Sequence, residues 1–284
     1  KNFTSTKIEK PVDPTTTITG KFVNFNSNSI YASTSNALYI FGSSSFTVDC
    51  RVKTSGYSSD PSLVSNKNWV SGKNRGFVIC ANTGGTWKVN IGDTQSRVDI
   101  SGGTINDGKW HHLTLVVDRK AKLVKTYQDG AFVGQAAIGA SFGSLTSGLP
   151  FAIGQDGTLT YGANVTGNIA EVRVWNKALS EASILNYTCS SVTASHPDYS
   201  NLIGYWKGDN GSGNSFTDSS VQQVNLAFPN TPTWINSTAT LKCGTATGAV
   251  PKMVDIAYSS LQWFGVPINT SWSLDGRSWL PTAN

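Results

Sequence analysis

Charged side chains are scarce in this 284-residue chain, and glutamate is the scarcest of the acidic ones. Asp, Glu, Lys and Arg together make up 14% of the residues, against about 25% in an average soluble domain. The glutamates are Glu9, Glu171 and Glu181, and the positions two away from Glu171 hold Ile169 and Arg173. An enzyme that hydrolyses glycosidic bonds needs two carboxylates flanking the cleaved bond. The sequence therefore predicts no catalytic residue of this kind.

Long runs of one chemical type are also missing. The 22 Lys and Arg residues give a net charge of +5 but are scattered and form no long basic run, which argues against a nucleic-acid partner. No apolar run approaches the ~20 residues of a transmembrane helix.

Cysteine and histidine are too few and too widely spaced for a readable metal motif. The four cysteines are Cys50, Cys80, Cys189 and Cys243, with no C-x-x-C spacing. Cys50 and Cys80 lie in strand-like runs, where a buried thiol is expected; a Cys50–Cys80 bridge stays open if those strands are neighbours. The adjacent pair His111–His112 would point to opposite faces of a strand and could not readily share one metal.

The sequence does contain many short alternating segments, and Asp107–Ile138 is the clearest group. Leu113, Leu115 and Val117 alternate with more polar positions, which predicts a strand with one drier face. Two further short strands follow, Leu123–Tyr127 and Ala131–Ala137, joined by Asp129-Gly130, a pair suited to a two-residue hairpin. Such an antiparallel meander must bury one face, so a second sheet is predicted.

Two other segments give definite predictions about which side chains share a face. In Phe46–Val52, Phe46, Val48, Cys50 and Val52 are predicted to face the core, and Thr47, Asp49 and Arg51 the opposite side. In Asn168–Trp175, Ile169, Glu171, Arg173 and Trp175 are predicted to share one face, and Ala170, Val172 and Val174 the other. Glu171 is expected to pair with Arg173 or to cap a sheet edge.

The pattern divides the chain into three parts. Residues 1–19, polar and with two prolines, are predicted to be an extended leader, a linker or a trimmed mature terminus. Residues 20–228 hold some twelve short strands at regular spacing and one short helix at Ser180–Cys189, which predicts an all-β, two-sheet antiparallel sandwich or jelly roll. Residues 229–284 form a C-terminal tail with a predicted helix at Pro251–Phe264, where Pro251 suits a first turn.

Three segments carry a family resemblance. GKWHHLTLVVDRKAKLVKTYQDGAFVG, GNIAEVRVWNKALSEASI and NLIGYWKGDNGSGNSFTDSS resemble the laminin G-like, concanavalin A-like lectin/glucanase superfamily, in particular the jelly-roll domains of Bacteroides-type surface proteins. The resemblance implies two curved sheets and binding of carbohydrate or protein at the rim. The Glu-x-Asp-x-x-Glu signature of sandwich glucanases is absent from this chain.

The tail has a second likeness. VPKMVDIAYSSLQWFGVPINTSWSLDGRSWLP looks like the closing segment of alkaline phosphatase-superfamily enzymes, including sulfatases and phosphodiesterases, with Tyr258-Ser259 in place of the usual Pro-Thr. The resemblance implies either that the chain is an accessory C-terminal part of such a hydrolase or that it is a module that kept this tail. The metal ligands and nucleophile of that family would lie upstream, in a catalytic domain of the same polypeptide.

Candidate ligand-binding residues are aromatic or acidic and lie in loops. Sugar rings present apolar C–H faces and hydroxyl edges, so aromatic side chains near amides or carboxylates are sought. Trp87, Asp156, Tyr161 and Asn164 are predicted to form a carbohydrate site at the rim. Calcium is the metal that the superfamily resemblance favours, with Asp156 and Asp209 as candidate ligands; turn-forming aspartates are the alternative.

The sequence thus favours a non-catalytic carbohydrate-binding or accessory module that works outside the cytoplasm. Two alternatives stay open: an accessory part of a phosphatase- or sulfatase-like hydrolase, and a protein–protein adhesion module.

Overall fold

The computed structural model describes residues 15–243, together with residues 260, 261 and 264. The chain divides into two compact units, residues 1–244 and 245–284. The description below concerns the first unit. Of the predicted helix Pro251–Phe264, Ser260 and Leu261 are helical; its other residues, apart from Phe264, lie outside the described part of the chain.

Within residues 15–243, the first unit contains sixteen strands, one short α-helix and two single turns of 3-10 helix. The helix, α1, spans Glu181–Tyr187, and its N-cap Ser180 accepts a hydrogen bond from the Ser183 amide. The strands are β1 Thr15–Val23, β2 Ala32–Thr34, β3 Phe46–Tyr57, β4 Ser62–Ser65, β5 Gly76–Asn82, β6 Thr86–Gly92, β7 Arg97–Thr104, β8 Trp110–Asp118, β9 Leu123–Gln128, β10 Ala131–Ala137, β11 Phe151–Ile153, β12 Val165–Trp175, β13 Leu202–Trp206, β14 Ser215–Phe216, β15 Leu226–Ala227 and β16 Trp234–Lys242.

These strands form two eight-stranded sheets. The first sheet has the order β1-β16-β8-β3-β12-β13, with β9 beside β8 and β10 beside β9. The second sheet has the order β14-β15-β2-β11-β4-β5-β6-β7. The predicted two-sheet sandwich is confirmed, and its strand pairs are antiparallel except β16 with β8, which is parallel.

The meander β8-β9-β10 forms as its turn chemistry predicts. Gln128 pairs with Ala131 across the hairpin, and the two turn residues Asp129 and Gly130 have φ angles of 54° and 80°. Positive φ at both central positions is the requirement of the two-residue turn that matches strand twist. The Asp-Gly pair therefore sets the register of the first sheet at this end.

The core lies between the sheets, and β3 has buried residues on both of its faces. Phe46, Val48, Cys50 and Val52 all join the main core cluster, as predicted. The opposite face is buried too, since Asp49 is 3% and Arg51 5% exposed. The segment 176–201, including α1, covers this outer face of the first sheet, so charged residues that alternation places toward solvent are enclosed.

The face assignment for β12 is wrong because the strand contains a β-bulge. The pairing with β3 shifts register between Ala170 and Arg173, and Glu171 has a φ of 49°. An extra residue in one strand reverses the alternation beyond it. Ile169 therefore joins Val172 and Val174 in the core, whereas Ala170 packs outside the sandwich against Trp110.

The sandwich also extends past the predicted range of 20–228 at both ends. β1 begins at Thr15, inside the predicted leader, and pairs along its whole length with β16, which lies in the predicted tail. Cys243, just after β16, is disulfide-bonded to Cys189, with a Cα–Cα distance of 5.3 Å. Cys50 and Cys80 are free, buried thiols in opposite sheets. In the described part of the chain, no helix is long and apolar enough to span a membrane.

Candidate functional site

A cavity of about 270 Å³ opens on the outer face of the first sheet. We call it the outer cavity; its lining includes Lys21 and Phe22 of β1, Arg51 of β3, Trp110 of β8, Glu171 of β12, and Ser191, Lys207 and Asp209 from the loops. Its volume is close to the lower end of the range of about 300–1,000 Å³ found for small-molecule sites. The space therefore suits one or two sugar-sized rings better than an extended polymer.

The apolar wall of the outer cavity is aromatic. The rings of Phe22 and Trp110 meet edge to face, with centroids 5.1 Å apart, and Ala170 and Leu241 complete the buried cluster behind them. Cys189 packs against the same cluster, so its bond to Cys243 ties this wall to the segment that follows α1. The wall is held by two sheet strands and a covalent link.

Charged groups beside the cavity form a buried network around the β12 bulge. Arg173 Nη2 donates to Glu171 Oε2 at 2.6 Å, and the Tyr205 hydroxyl donates to the same oxygen at 2.6 Å. Arg173 Nη2 also donates to the Ser190 carbonyl, and Arg51 Nη2 to the Thr188 carbonyl at 2.9 Å. The expected pairing of Glu171 with Arg173 is confirmed. The network fixes the segment 187–191 to the sheet.

Glu171 is held in its ionised form. Burial alone would raise the pKa of this carboxyl, but the positive charges of Arg173 and Arg51 and the bond from Tyr205 outweigh it and lower the pKa below the usual value. A general acid for glycoside cleavage needs the opposite shift, a raised pKa. Glu171 is therefore suited to hold the network together, not to donate a proton.

Two buried donors at the outer cavity have no acceptor. Trp110 is 1% and Arg51 5% exposed, and among the described residues Trp110 Nε1 and Arg51 Nε lack a hydrogen-bond partner. A buried donor left unpaired costs about 1–3 kcal/mol. A ligand that supplies acceptors at this place would recover that free energy.

Two family models match parts of this chain. Residues 26–185 match the family described as the concanavalin A-like lectin/glucanases superfamily (Laminin_G_3). The chain belongs to this superfamily. Residues 192–280 match a domain of unknown function, DUF4983. This match covers the last strands of the sandwich and continues into the C-terminal tail. A search of curated proteins finds no match.

Solved structures with the superfamily fold agree with the architecture. A candidate carbohydrate-binding protein from Bacteroides ovatus aligns with a TM-score of 0.58 and 18% identity over 81% of this chain; the chain spans 62% of that protein. The carbohydrate-binding module CBM40 of a Ruminococcus gnavus sialidase aligns over 61% of this chain and 98% of its own, with a TM-score of 0.47 and 16% identity. The first likeness supports the fold, and the second is too loose to bear on function.

Trp87 is not a rim residue of this superfamily sandwich. It is fully buried in the main core cluster, and its Nε1 donates to Gln128 Oε1 at 2.8 Å. Its ring lies between the two sheets, outside the lining of the outer cavity. The sequence misassigned it because alternation in β6 does not say which of its two faces meets the other sheet.

Asp156 and Tyr161 lie near each other but their polar groups are already used. Asp156 is fully buried; Oδ2 accepts from the Trp69 amide at 2.9 Å, and Oδ1 from the Thr158 amide and hydroxyl. The Tyr161 hydroxyl donates to Asp60 Oδ1 at 2.6 Å, and its ring packs beside Trp69. These bonds shape the loop after β11, and the ring of Tyr161 is half-buried there.

Asn164 is the last residue of that loop, whereas Asp209 lies elsewhere in the fold. Asn164 Nδ2 donates to the neighbouring Val165 carbonyl at 3.2 Å. Asp209 is exposed and lines the outer cavity on the first sheet, whereas Asp156 follows β11 of the second sheet. The structure thus places the two candidate calcium ligands in separate sites.

These residues do not fit a calcium ion. Calcium requires six to eight oxygen ligands, and both oxygens of Asp156 already accept bonds from N–H or O–H donors. Within the described residues, no group of three or more acidic, histidine or cysteine side chains is placed to hold a metal. We derive no role for calcium.

Sequence reasoning missed Arg51, Trp110 and Lys207 as parts of a site. The sequence did contain a signal for a charged cluster. Asp49 and Arg51 lie two residues apart in one strand, and Glu171 and Arg173 in another, although charged residues are rare in this chain. Opposite charges on facing positions of adjacent strands attract, and Arg173 does pair with Asp49 in the register of β3 and β12.

Proposed function

We propose that this chain is a non-catalytic carbohydrate-binding module and that the outer cavity is its binding site. Membership of the superfamily and the carbohydrate-binding description of the Bacteroides ovatus protein supply the ligand class. The residues predicted from the sequence are replaced in this proposal by the aromatic wall Phe22–Trp110 and the donors Arg51 and Trp110.

The observation that carries the proposal is the pair of buried, unpartnered donors beside an aromatic wall. Sugar hydroxyls accept hydrogen bonds, and the C–H face of a sugar ring packs against aromatic rings. Arg51 and Trp110 bring donors of the first kind to the lining, although Nε and Nε1 themselves are covered by neighbouring atoms, and the Phe22–Trp110 pair offers the second. One ligand can satisfy both.

The non-catalytic part of the proposal rests on the state of Glu171. Two groups would have to act as acid and base or nucleophile across the bond. Glu171 is bonded to Arg173 and Tyr205 and has a lowered pKa. Asp209, the other carboxylate of the cavity, is exposed.

The disulfide supports a location outside the cytoplasm. Such bonds persist in oxidising compartments and are rare in the cytosol. Cys189 and Cys243 join the loop after α1 to the end of β16, next to the outer cavity. We propose that the module is secreted, periplasmic or displayed on the cell surface.

The tail suggests an accessory role, which we propose as a refinement. Its likeness to the end of alkaline phosphatase-superfamily enzymes falls almost entirely outside the described residues. The DUF4983 match continues from Val192 through this tail, which supports a tail that belongs with the module. A catalytic domain in the same polypeptide would then be positioned on its substrate by the sugar-binding cavity.

A glycan array followed by calorimetry tests the proposal. Ser191 is exposed, lines the outer cavity, and its hydroxyl lies 3.5 Å from Glu171 Oε1. Ser191→Trp should fill the cavity and abolish glycan binding. Ser195→Trp, the same change at an exposed position outside the cavity, should leave binding intact. Equal affinity of both variants would refute the outer cavity as the site, and binding of proteins but no glycan would favour an adhesion module.

A further inference from the structure

We propose that the outer cavity selects a carboxylated sugar, such as a uronic acid, over its neutral counterpart. This inference rests on the proposed function, because it names the ligand chemistry of the same site. Its basis is the balance of charged groups that line the cavity and the way in which each one is already paired.

Three cationic side chains line the outer cavity. Arg51 is only 5% exposed, and its Nη2 donates a hydrogen bond to the Thr188 carbonyl. Its Nε has no partner among the described residues. Lys21 is exposed and Lys207 is half-buried, and neither forms a salt bridge within the described part of the chain.

The two acidic groups of the lining do not cancel these charges. Glu171 is bonded to Arg173 at 2.6 Å, and Arg173 lies outside the lining. The charge of Glu171 is compensated mainly by Arg173 and partly by Arg51, so Lys21 and Lys207 stay available to an anion. Asp209 is the remaining acid, and its single charge offsets only one of these two lysines.

A carboxylate fits the unpaired donors better than a hydroxyl does. It has no donor hydrogen and accepts at two oxygens, and the lining cations Lys21, Arg51 and Lys207 can only donate. Hydrogen bonds between a guanidinium and a carboxylate are about twice as strong as neutral ones. The sugar ring itself would pack on the wall formed by Phe22 and Trp110.

The test compares matched oligosaccharides that differ only in oxidation at C6, oligogalacturonate and oligogalactose, by calorimetry on the full chain at low and high salt. We expect the acidic ligand to bind at least about tenfold more tightly at low salt. The difference should shrink in 1 M salt, where the Debye length falls to about 3 Å. Equal affinities for the two ligands would overturn the inference.

Substitutions of Lys207 and of Asp209 should change the affinity for the acidic ligand in opposite directions. Lys207→Gln should weaken binding of the acidic ligand about three- to tenfold, and Asp209→Asn should strengthen it by a similar factor, because each removes one charge beside the anion. Both residues lie in the lining, so each change should alter the affinity for the neutral ligand less than that for the acidic one. Lys120→Gln, at an exposed lysine in the turn between β8 and β9, is the control and should change neither affinity.

The outcomes separate this inference from the proposed function. If the neutral ligand binds and neither Lys207→Gln nor Asp209→Asn changes the affinity for the acidic one, the charge preference is wrong and the carbohydrate site stands. If neither ligand nor any other glycan binds, the proposed function is wrong, and the preference falls with it. A misfolded variant can only bind more weakly. An increase in affinity for Asp209→Asn would therefore report the removed charge and not a damaged fold.

Discussion

Cys189 and Cys243 lie 54 residues apart in sequence and are joined by a disulfide, with their Cα atoms 5.3 Å apart. Cys189 packs with Phe22, Trp110 and Leu241 behind the outer cavity. The bond therefore connects the loop that covers the first sheet to the last strand of that sheet, at the wall where we place the ligand.

Breaking this bond should destabilise the sandwich. A double change, Cys189→Ser with Cys243→Ser, removes a constraint on a loop of this length and should lower the free energy of unfolding by about 2–4 kcal/mol, as measured in urea. Cys50→Ala, at a free buried thiol, is the comparison and probes packing alone. Unfolded, unreduced protein should show two reactive thiols; finding four would contradict the bond.

Glu171 should matter more to stability than any surface glutamate. Glu171→Gln removes the charge that compensates buried Arg173, and breaking a buried ion pair costs about 3–5 kcal/mol. Glu181→Gln, in the exposed first turn of α1, should cost under about 1 kcal/mol. Chemical denaturation of both variants makes the comparison; similar small losses would show that the network contributes little.

His111 and His112 should titrate in opposite directions. Burial opposes protonation of His111, but Asp129 and Asp107, at 2.9 and 3.0 Å, outweigh it and raise its pKa. For His112 burial is the stronger effect and lowers the pKa despite the bond to Asp49. NMR titration should therefore show His111 protonated above pH 6.5 and His112 neutral below it, with His111→Gln and His112→Gln used for assignment.

The two shifts have opposite effects on stability. Charged His111 stabilises the fold fully below about pH 6.5, and this contribution is lost as the pH rises through its higher folded pKa. Neutral His112 stabilises the fold above about pH 6.5, and this contribution is lost as the pH falls through its lower folded pKa. Two imidazoles that both titrate near pH 6.5 would contradict the geometry of both contacts.

Trp87 should behave as a core residue. Trp87→Phe removes the bond from Nε1 to Gln128 and leaves a gap between the sheets, so we expect a loss of about 1–3 kcal/mol in the free energy of unfolding. Glycan affinity measured below the unfolding transition should stay unchanged. A weakened affinity with unchanged stability would restore Trp87 to the binding site.

The fold could be predicted further than the site because its signals are local. Alternation in β3 and β8 and the Asp129-Gly130 turn each depend on a few adjacent residues, and each formed as expected. The face assignment of β12 failed at one inserted residue, Glu171. The outer cavity could not be predicted because its lining comes from four strands and two loops that are far apart in sequence. The pairing of Cys189 with Cys243 likewise depends on a distance that spacing does not contain.

The most direct measurement is the indole N–H resonance of Trp110 in ¹⁵N-labelled protein, followed as oligogalacturonate is added. Its assignment can be made with Trp110→Phe. Because Trp110 Nε1 is an unpartnered donor at the outer cavity, we predict that this resonance moves as the ligand binds, while that of Trp87, bonded to Gln128 in the core, stays in place. Ligand binding that leaves the Trp110 resonance unmoved would contradict the account.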